Sequence, residues 1–253
     1  MSRRSGRPAA VLCAAVLLAG CAQTPSASLS DADRDPWEPM NRGTHAFNEK
    51  FDQWVFEPIA IGWDFVVPEL VQEGLQNFFE NLAMPVVIAN DVLQLKPSAV
   101  GEDLLRLFAN TVFGLGGFID VASRVEIAKN DEGFGQTLGW WGVPPGPYLV
   151  LPFLGPSTPR EVAGLGVDSM GAIYPWFVPI YVSFVANGVE LVNLRSVYLD
   201  EIRQNRADAF DYYVFIRNAY LQNLEKKTRD AEETPAEVEE DLYYFDDEEF
   251  EDE

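Results

Sequence analysis

Histidine is almost absent: His45 is the only one in 253 residues. Sites that need two imidazoles are therefore excluded, and at most one Ser-His pair remains. Cysteine is nearly as scarce, with only Cys13 and Cys21. Two thiols build neither a disulfide framework nor a four-cysteine metal site. Positive charge is the third shortage, because 18 Lys and Arg stand against 40 Asp and Glu, a formal net charge of -22. Such a chain repels nucleic acid and anionic headgroups, so no nucleic acid is expected as a partner and no membrane is bound through a basic patch.

Motifs for chemistry are missing too. No Gly-x-Ser-x-Gly surrounds a serine, so Ser157 and His45 do not read as a lipase pair. Gly133-Phe134-Gly135 and Gly114-Leu115-Gly116-Gly117 are not followed by Gly-Lys-Ser or Gly-Lys-Thr and read as turn or packing glycines. The acidic clusters lack the spacing and the fixing glycine of a calcium loop. The expectation is a protein that is not an enzyme, with no catalytic residue, no metal and no cofactor.

What is present is apolar: 47% of residues are hydrophobic and 13% aromatic, enough for a packed core. Residues 1–20 read as an export signal, with Arg3, Arg4 and Arg7 ahead of an uncharged stretch from Pro8 to Gly20 that is too short to span a bilayer. That stretch ends Leu18-Ala19-Gly20-Cys21, similar to a bacterial lipobox, which makes Cys21 the expected lipid anchor. Ala22 follows the anchor where an Asp would favour inner-membrane retention, so the outer membrane is the expected location. Removing three arginines and no acid takes the mature charge from -22 to -25. Residues 21–34 read as a linker and 35–228 as a helical body. Residues 229–253 read as an acidic disordered tail, with fourteen Asp and Glu and no Lys or Arg from Asp230 to Glu253. Tyr243, Tyr244, Phe245 and Phe250 among those acids leave a docking strand open as a second reading.

Within the body the apolar residues recur at helical spacing. Phe47, Phe51, Trp54 and Val55 share one face, Leu104, Leu107, Phe108 and Val112 a second, and Tyr213, Ile216, Tyr220 and Leu224 a third. Proline punctuates the pattern at 39, 58, 68, 85 and 97, and suits a first helical turn but not an interior. Helices are predicted over 37–56, 59–67, 69–81, 86–95, 99–113, 160–172, 180–204 and 208–227. Gly133 to Pro159 carries no charge, six Gly and six Pro, and reads as irregular apolar chain. Ser169 to Val189 is uncharged for 21 residues, the length of a membrane span, but Pro175 and Pro179 interrupt it. Helices and loops immersed in lipid fit these two stretches better than a simple span, although buried core remains an alternative.

Several motifs point to a family. Asp35-Pro36-Trp37-Glu38-Pro39-Met40-Asn41-Arg42, then Phe47-Asn48, Asn77-Phe78-Phe79-Glu80-Asn81-Leu82 and Asn110 to Ala122 follow in order. Phe134-Gly135-Gln136-Thr137-Leu138-Gly139, Gly146-Pro147-Tyr148-Leu149-Val150-Leu151-Pro152 and Gly155 to Arg160 complete the set. In these motifs residues 35 to 225 resemble the MlaA/VacJ family of outer-membrane lipoproteins. Glu161 stands where the family often has Asp.

The resemblance implies a mostly α fold, a ring of short Pro-punctuated helices embedded in the membrane around a central channel. It implies a protein that extracts mislocalised phospholipids from the outer leaflet, maintains lipid asymmetry and delivers its cargo to a periplasmic carrier of the MlaC type. Trimeric porins are the implied membrane partners. By the same resemblance Asn41, Arg42, Phe47 and Asn48 border the channel, while the loop around Phe134, Gly135, Gln136, Gly146 and Pro147 forms a hairpin that gates it. From the residues alone, Asn41 and Asn48 also fit capping or core hydrogen bonding, and Arg42 fits an ion pair with Glu38. A structural lipoprotein that scaffolds or tethers porins is the alternative function.

Overall fold

The structure, a computed structural model, describes residues 35–172 and 177–232. The export signal, Cys21, the linker and the chain beyond 232 lie outside the described residues. The chain divides into Met1–Pro36 and Trp37–Glu253, and all the helices and strands described lie in the second unit.

The fold is mostly α. Helix α1 (Glu38–Phe51) runs through a π turn (Asp52–Phe56) into α2 (Glu57–Val66). Pro58 has no N–H to offer the carbonyl four residues back, and the wider π turn before it relieves the mismatch without ending the helix. Then come α3 (Glu69–Leu93), α4 (Pro97–Val112), a single turn α5 (Val121–Arg124) and α6 (Phe134–Trp140). A hairpin of β1 (Leu149–Leu151) and β2 (Gly155–Ser157) pairs antiparallel, with Val150 opposite Pro156. Helices α7 (Pro159–Gly171), α8 (Ile180–Val197), α9 (Leu199–Asp208) and α10 (Tyr212–Glu232) complete it.

The predicted break between 56 and 59 is absent, since the helix runs on through Pro58, and three further expectations are corrected. Pro85 lies inside α3 and does not divide it. An interior proline costs about 3 kcal/mol in an isolated helix, and here the packing of α3 along both α4 and α8 holds the two halves in line. The stretch after Gly133 is not wholly irregular, since it contains α6 and the hairpin. The helix expected over 180–204 stops at Val197 and restarts at Leu199.

Polarity runs opposite to a water-soluble fold. On α4 the buried residues are Asp103, Arg106 and Asn110, whereas Leu104, Leu105, Phe108 and Val112 are exposed. On α8 Ser183, Asn193, Arg195 and Ser196 are buried, while Ile180, Phe184 and Val185 face outward at 87%, 81% and 62% exposure. The periodicity read from the sequence is real, but the apolar stripe of α4 points out. The only apolar cluster in which all members are buried is small: Tyr148, Val150 and Tyr213, between the hairpin and α10, among the described residues. No helix of the described residues is long and apolar enough to cross a membrane.

Candidate functional site

Residues 41 and 48 are two turns apart on α1, so their side chains leave the same face. Both are asparagine, and an amide presents a donor and an acceptor much as a backbone peptide does. Asn41 Nδ2 donates to the Tyr148 carbonyl (3.0 Å) and Asn41 Oδ1 accepts from Val150 N–H (2.9 Å). Asn48 repeats the pattern one step along, donating to the Leu151 carbonyl (2.8 Å) and accepting from Phe153 N–H (2.9 Å). The face of α1 thus serves β1 as a second neighbouring strand, and it fixes the hairpin to the helix.

The other predicted residues of α1 flank that clasp. Arg42 donates through Nε to Glu38 Oε1 (2.7 Å) and through Nη2 to Asp211 Oδ2 (2.9 Å), with its guanidinium 4.4 Å from the Tyr213 ring centre. The hydrogen bonds from Asp211 and Glu38 raise its pKa further above the ordinary value, so it is always charged. The ion pair with Glu38 expected from spacing is present, and α10 supplies a second acid. Phe47 packs edge-on against Phe153 at 5.3 Å. Phe153 itself, at the hairpin tip, has φ 64.

The loop residues are distributed differently from the expectation. Phe134, Gly135 and Gln136 open helix α6, and the hairpin begins later, at Leu149. Gln136 is buried and accepts from Gly133 N–H (2.7 Å), which closes the first turn. Gly135 lies where α7 crosses α6. Gly146, at φ 78, and Pro147 lead into the hairpin, and a side chain at Gly146 would meet the Pro159 ring at 3.1 Å. The structure therefore brings Asn41, Phe47 and Asn48 together at the hairpin, with Arg42 beside them, and places Phe134 to Gln136 on a separate helix.

Two polar networks escaped the sequence reading. In one, Gln94 donates to Glu132 (2.8 Å) and Thr137 (3.2 Å), and Thr137 donates to Asn90 (2.8 Å). Beside it Asn130 Nδ2 bridges Asp91 (3.0 Å) and Asp103 (3.1 Å), both fully buried. Burial, with a hydrogen bond and repulsion from Asp103, pushes the Asp91 carboxyl up to about 7. In the other, Asp52 at the π turn accepts from Arg195 (2.7 and 3.0 Å) and Arg206 (2.9 Å), while Glu57 accepts from Arg203 (2.7 Å) and Arg206 (3.1 Å). Burial alone would raise the Asp52 pKa, but the arginines outweigh it and hold the carboxyl below its ordinary value. Residues this far apart carry no local pattern that announces them. The one local pattern that could have pointed to them is the helical spacing of polar residues 103, 106 and 110 on α4, of which Asp103 belongs to the first network.

A polar interior under an apolar exterior suits a protein surrounded by lipid, and the sequence profile described as "MlaA lipoprotein" matches residues 33–227. The chain belongs to the MlaA lipoprotein family. It is 37% identical over 225 residues to the Haemophilus influenzae protein named intermembrane phospholipid transport system lipoprotein MlaA, covering 87% of this chain and 89% of the relative. The Escherichia coli K12 protein of the same name is 35% identical over 222 residues, 85% of this chain and 86% of the relative. A chain solved in work on the structural basis for maintenance of bacterial outer membrane lipid asymmetry superposes with a TM-score of 0.68 at 32% identity, covering 77% of this chain and 98% of that one. The MlaA fold is thus the setting of the clasp between α1 and the hairpin.

Proposed function

We propose that this chain is the outer-membrane component of an intermembrane phospholipid transport system. In this reading it extracts phospholipids misplaced in the outer leaflet, passes them through a channel within its ring of helices and hands them to a periplasmic carrier of the MlaC type, so maintaining lipid asymmetry. The observation that carries it is the inverted polarity of α4 and α8. Leu104, Phe108, Ile180 and Phe184 face outward, where hydrocarbon solvates them, while Asp103, Arg106, Asn193 and Arg195 line the inside. A headgroup cannot cross hydrocarbon without a large desolvation cost, whereas acyl chains prefer it, so a lipid conduit needs this arrangement.

The body, 35–228, sits in the inner leaflet facing the periplasm, held by acyl groups on Cys21 after removal of residues 1–20. Residues 21–34 are the tether and 229–253 the acidic tail. Trimeric porins are its membrane partners. Asn41 and Asn48 hold the gating hairpin, Phe47 packs on its tip, Arg42 ties α1 to the last helix, and Phe134, Gly135, Gln136, Gly146 and Pro147 frame the loop behind it.

The test is surface labelling of outer-leaflet phospholipid in a strain lacking the gene. Accumulation reversed by the wild-type chain but not by Cys21→Ser is expected. Unchanged labelling in the deletion strain would overturn transport and leave a scaffold for porins.

A further inference from the structure

Helix α8 is packed on two sides and open on two others. On one packed side Asn193 accepts from Trp63 Nε1 of α2 (3.1 Å) and donates to the Gln72 carbonyl of α3 (2.9 Å), while Ser196 donates to Gln72 Oε1 (3.0 Å). On the other Arg195 donates to Asp52 of the π turn, and Leu191 lines a cavity of about 210 Å³ beside the hairpin tip. With about 3.6 residues per turn, the open sides alternate with these contacts. Tyr181 and Val185, both exposed, occupy one of them. Asn187 and Glu190, also exposed, occupy the opposite one.

Hydrocarbon does not hold an unpaired carboxylate, yet Glu190 makes no hydrogen bond or ion pair with any described residue. Its side of α8 therefore meets water, while the Tyr181 side suits lipid. Although exposed, Glu190 lies deep enough for burial alone to raise its carboxyl above the ordinary value, which a convex surface would not do. A wetted concavity bordered by the contacts to α2 and α3 and by the hairpin cavity fits the inside of the ring. Leu194, on the next turn of the same side, is exposed and apolar, as a wall that also meets acyl chains requires. A phosphodiester carries one negative charge, which an ammonium on the same headgroup cancels and a glycerol does not, so one fixed carboxylate tells them apart. Resting on the transport reading above, we propose that the Asn187–Glu190 side of α8 is a wall of the conduit and that the Glu190 carboxylate selects its cargo, admitting phospholipids of zero net charge and repelling anionic ones.

The test offers the full chain in detergent equal amounts of phosphatidylethanolamine and phosphatidylglycerol in mixed micelles at roughly pH 8, where even a raised carboxyl is ionised. Lipid retained after washing is counted by mass spectrometry. Wild type should retain phosphatidylethanolamine over phosphatidylglycerol by about fivefold, the yield of one like-charge repulsion across a partly wetted gap. Glu190→Asp should keep that ratio, Glu190→Gln should bring it near one and Glu190→Lys should invert it, all at an unchanged melting temperature because the side chain holds no partner. Glu190→Cys separates charge from shape, since Cys13 leaves with the signal and Cys21 is acylated in this reading. A sulfonate-bearing methanethiosulfonate at the new thiol should restore the wild-type ratio, and an ammonium-bearing one should invert it. A ratio near one in wild type, or one that stays fixed through Glu190→Gln and Glu190→Lys, overturns the selectivity and leaves transport standing. A thiol at 190 that reacts with neither reagent in the folded chain overturns the wetted wall. If wild type retains neither lipid, this inference and the transport reading fall together.

Discussion

Gly164 of α7 lies directly on Gly135 of α6. A Cβ at Gly164 would stand 2.6 Å from the Gly135 Cα, and one at Gly135 would meet the Glu161 carboxyl carbon at 2.6 Å. The two helices approach this closely because neither residue has a side chain, and the approach sets the path of the chain from α6 through the hairpin to α7.

Replacing Gly164 by alanine should therefore destabilise the fold even though alanine is the better helix former. Backbone offers no flexible end that can move aside, so overpacking of about 1–3 kcal/mol is expected, against at most ~1 kcal/mol gained from helix propensity. Thermal unfolding in detergent reads the balance. A melting temperature equal to or above that of wild type would show that the crossing is looser than its geometry implies.

The clasp makes a second prediction. Asn41→Ala removes the amide that pairs with Val150 N–H and the Tyr148 carbonyl in a buried position, at a cost of about 1–3 kcal/mol. Hydrogen exchange over residues 148–154 should accelerate, while α4 and α8 keep their protection, because α1 reaches the hairpin through these amides. Asn48→Ala should free the tip selectively at Phe153. Uniform protection of the hairpin in both variants would mean that strand pairing and the Tyr148–Tyr213 contact hold it alone.

The carboxyl pair at the junction of α3 and α4 links stability to pH. Asp91 is raised to about 7 in the folded protein, by burial first and then by Asp103 and Glu132. Unfolded, it titrates near its ordinary value of about 4. The folded state therefore binds the extra proton, and the contribution of Asp91 is fully present below about pH 4 and is lost as pH rises through about 7. Asp91→Asn mimics the protonated form. Its melting temperature relative to wild type should climb between mildly acidic and mildly alkaline buffer. A difference that stays flat across that interval would show that Asp91 is ionised in the native state throughout.

Much of the helical body was legible in one dimension. Apolar spacing and first-turn prolines located α4, α7 and α10 within a few residues, and ordered motifs such as Asn41-Arg42 and Gly146-Pro147-Tyr148 identified the family. The uncharged run from Ser169 to Val189 was read as something other than a simple span because its prolines at 175 and 179 are visible in the sequence, and no helix among the described residues is long and apolar enough to cross a membrane. Those are local properties, set by side-chain period and backbone restriction.

Tertiary structure alone decided which way the stripes face. Periodicity states that Leu104, Leu107, Phe108 and Val112 share a side, but the same pattern serves a core in water and a surface in lipid. It took the burial of Asp103, Arg106 and Asn110 opposite them to choose. The same holds for Pro85, whose helix-breaking tendency was outweighed by packing against α4 and α8. It holds for Asp52 with Arg195 and for Asn41 with Val150, which lie 143 and 109 residues apart in the chain. A propensity acts over one or two turns, whereas these contacts exist only after the helices have met, and they determine where the hairpin sits and where buried charge is satisfied.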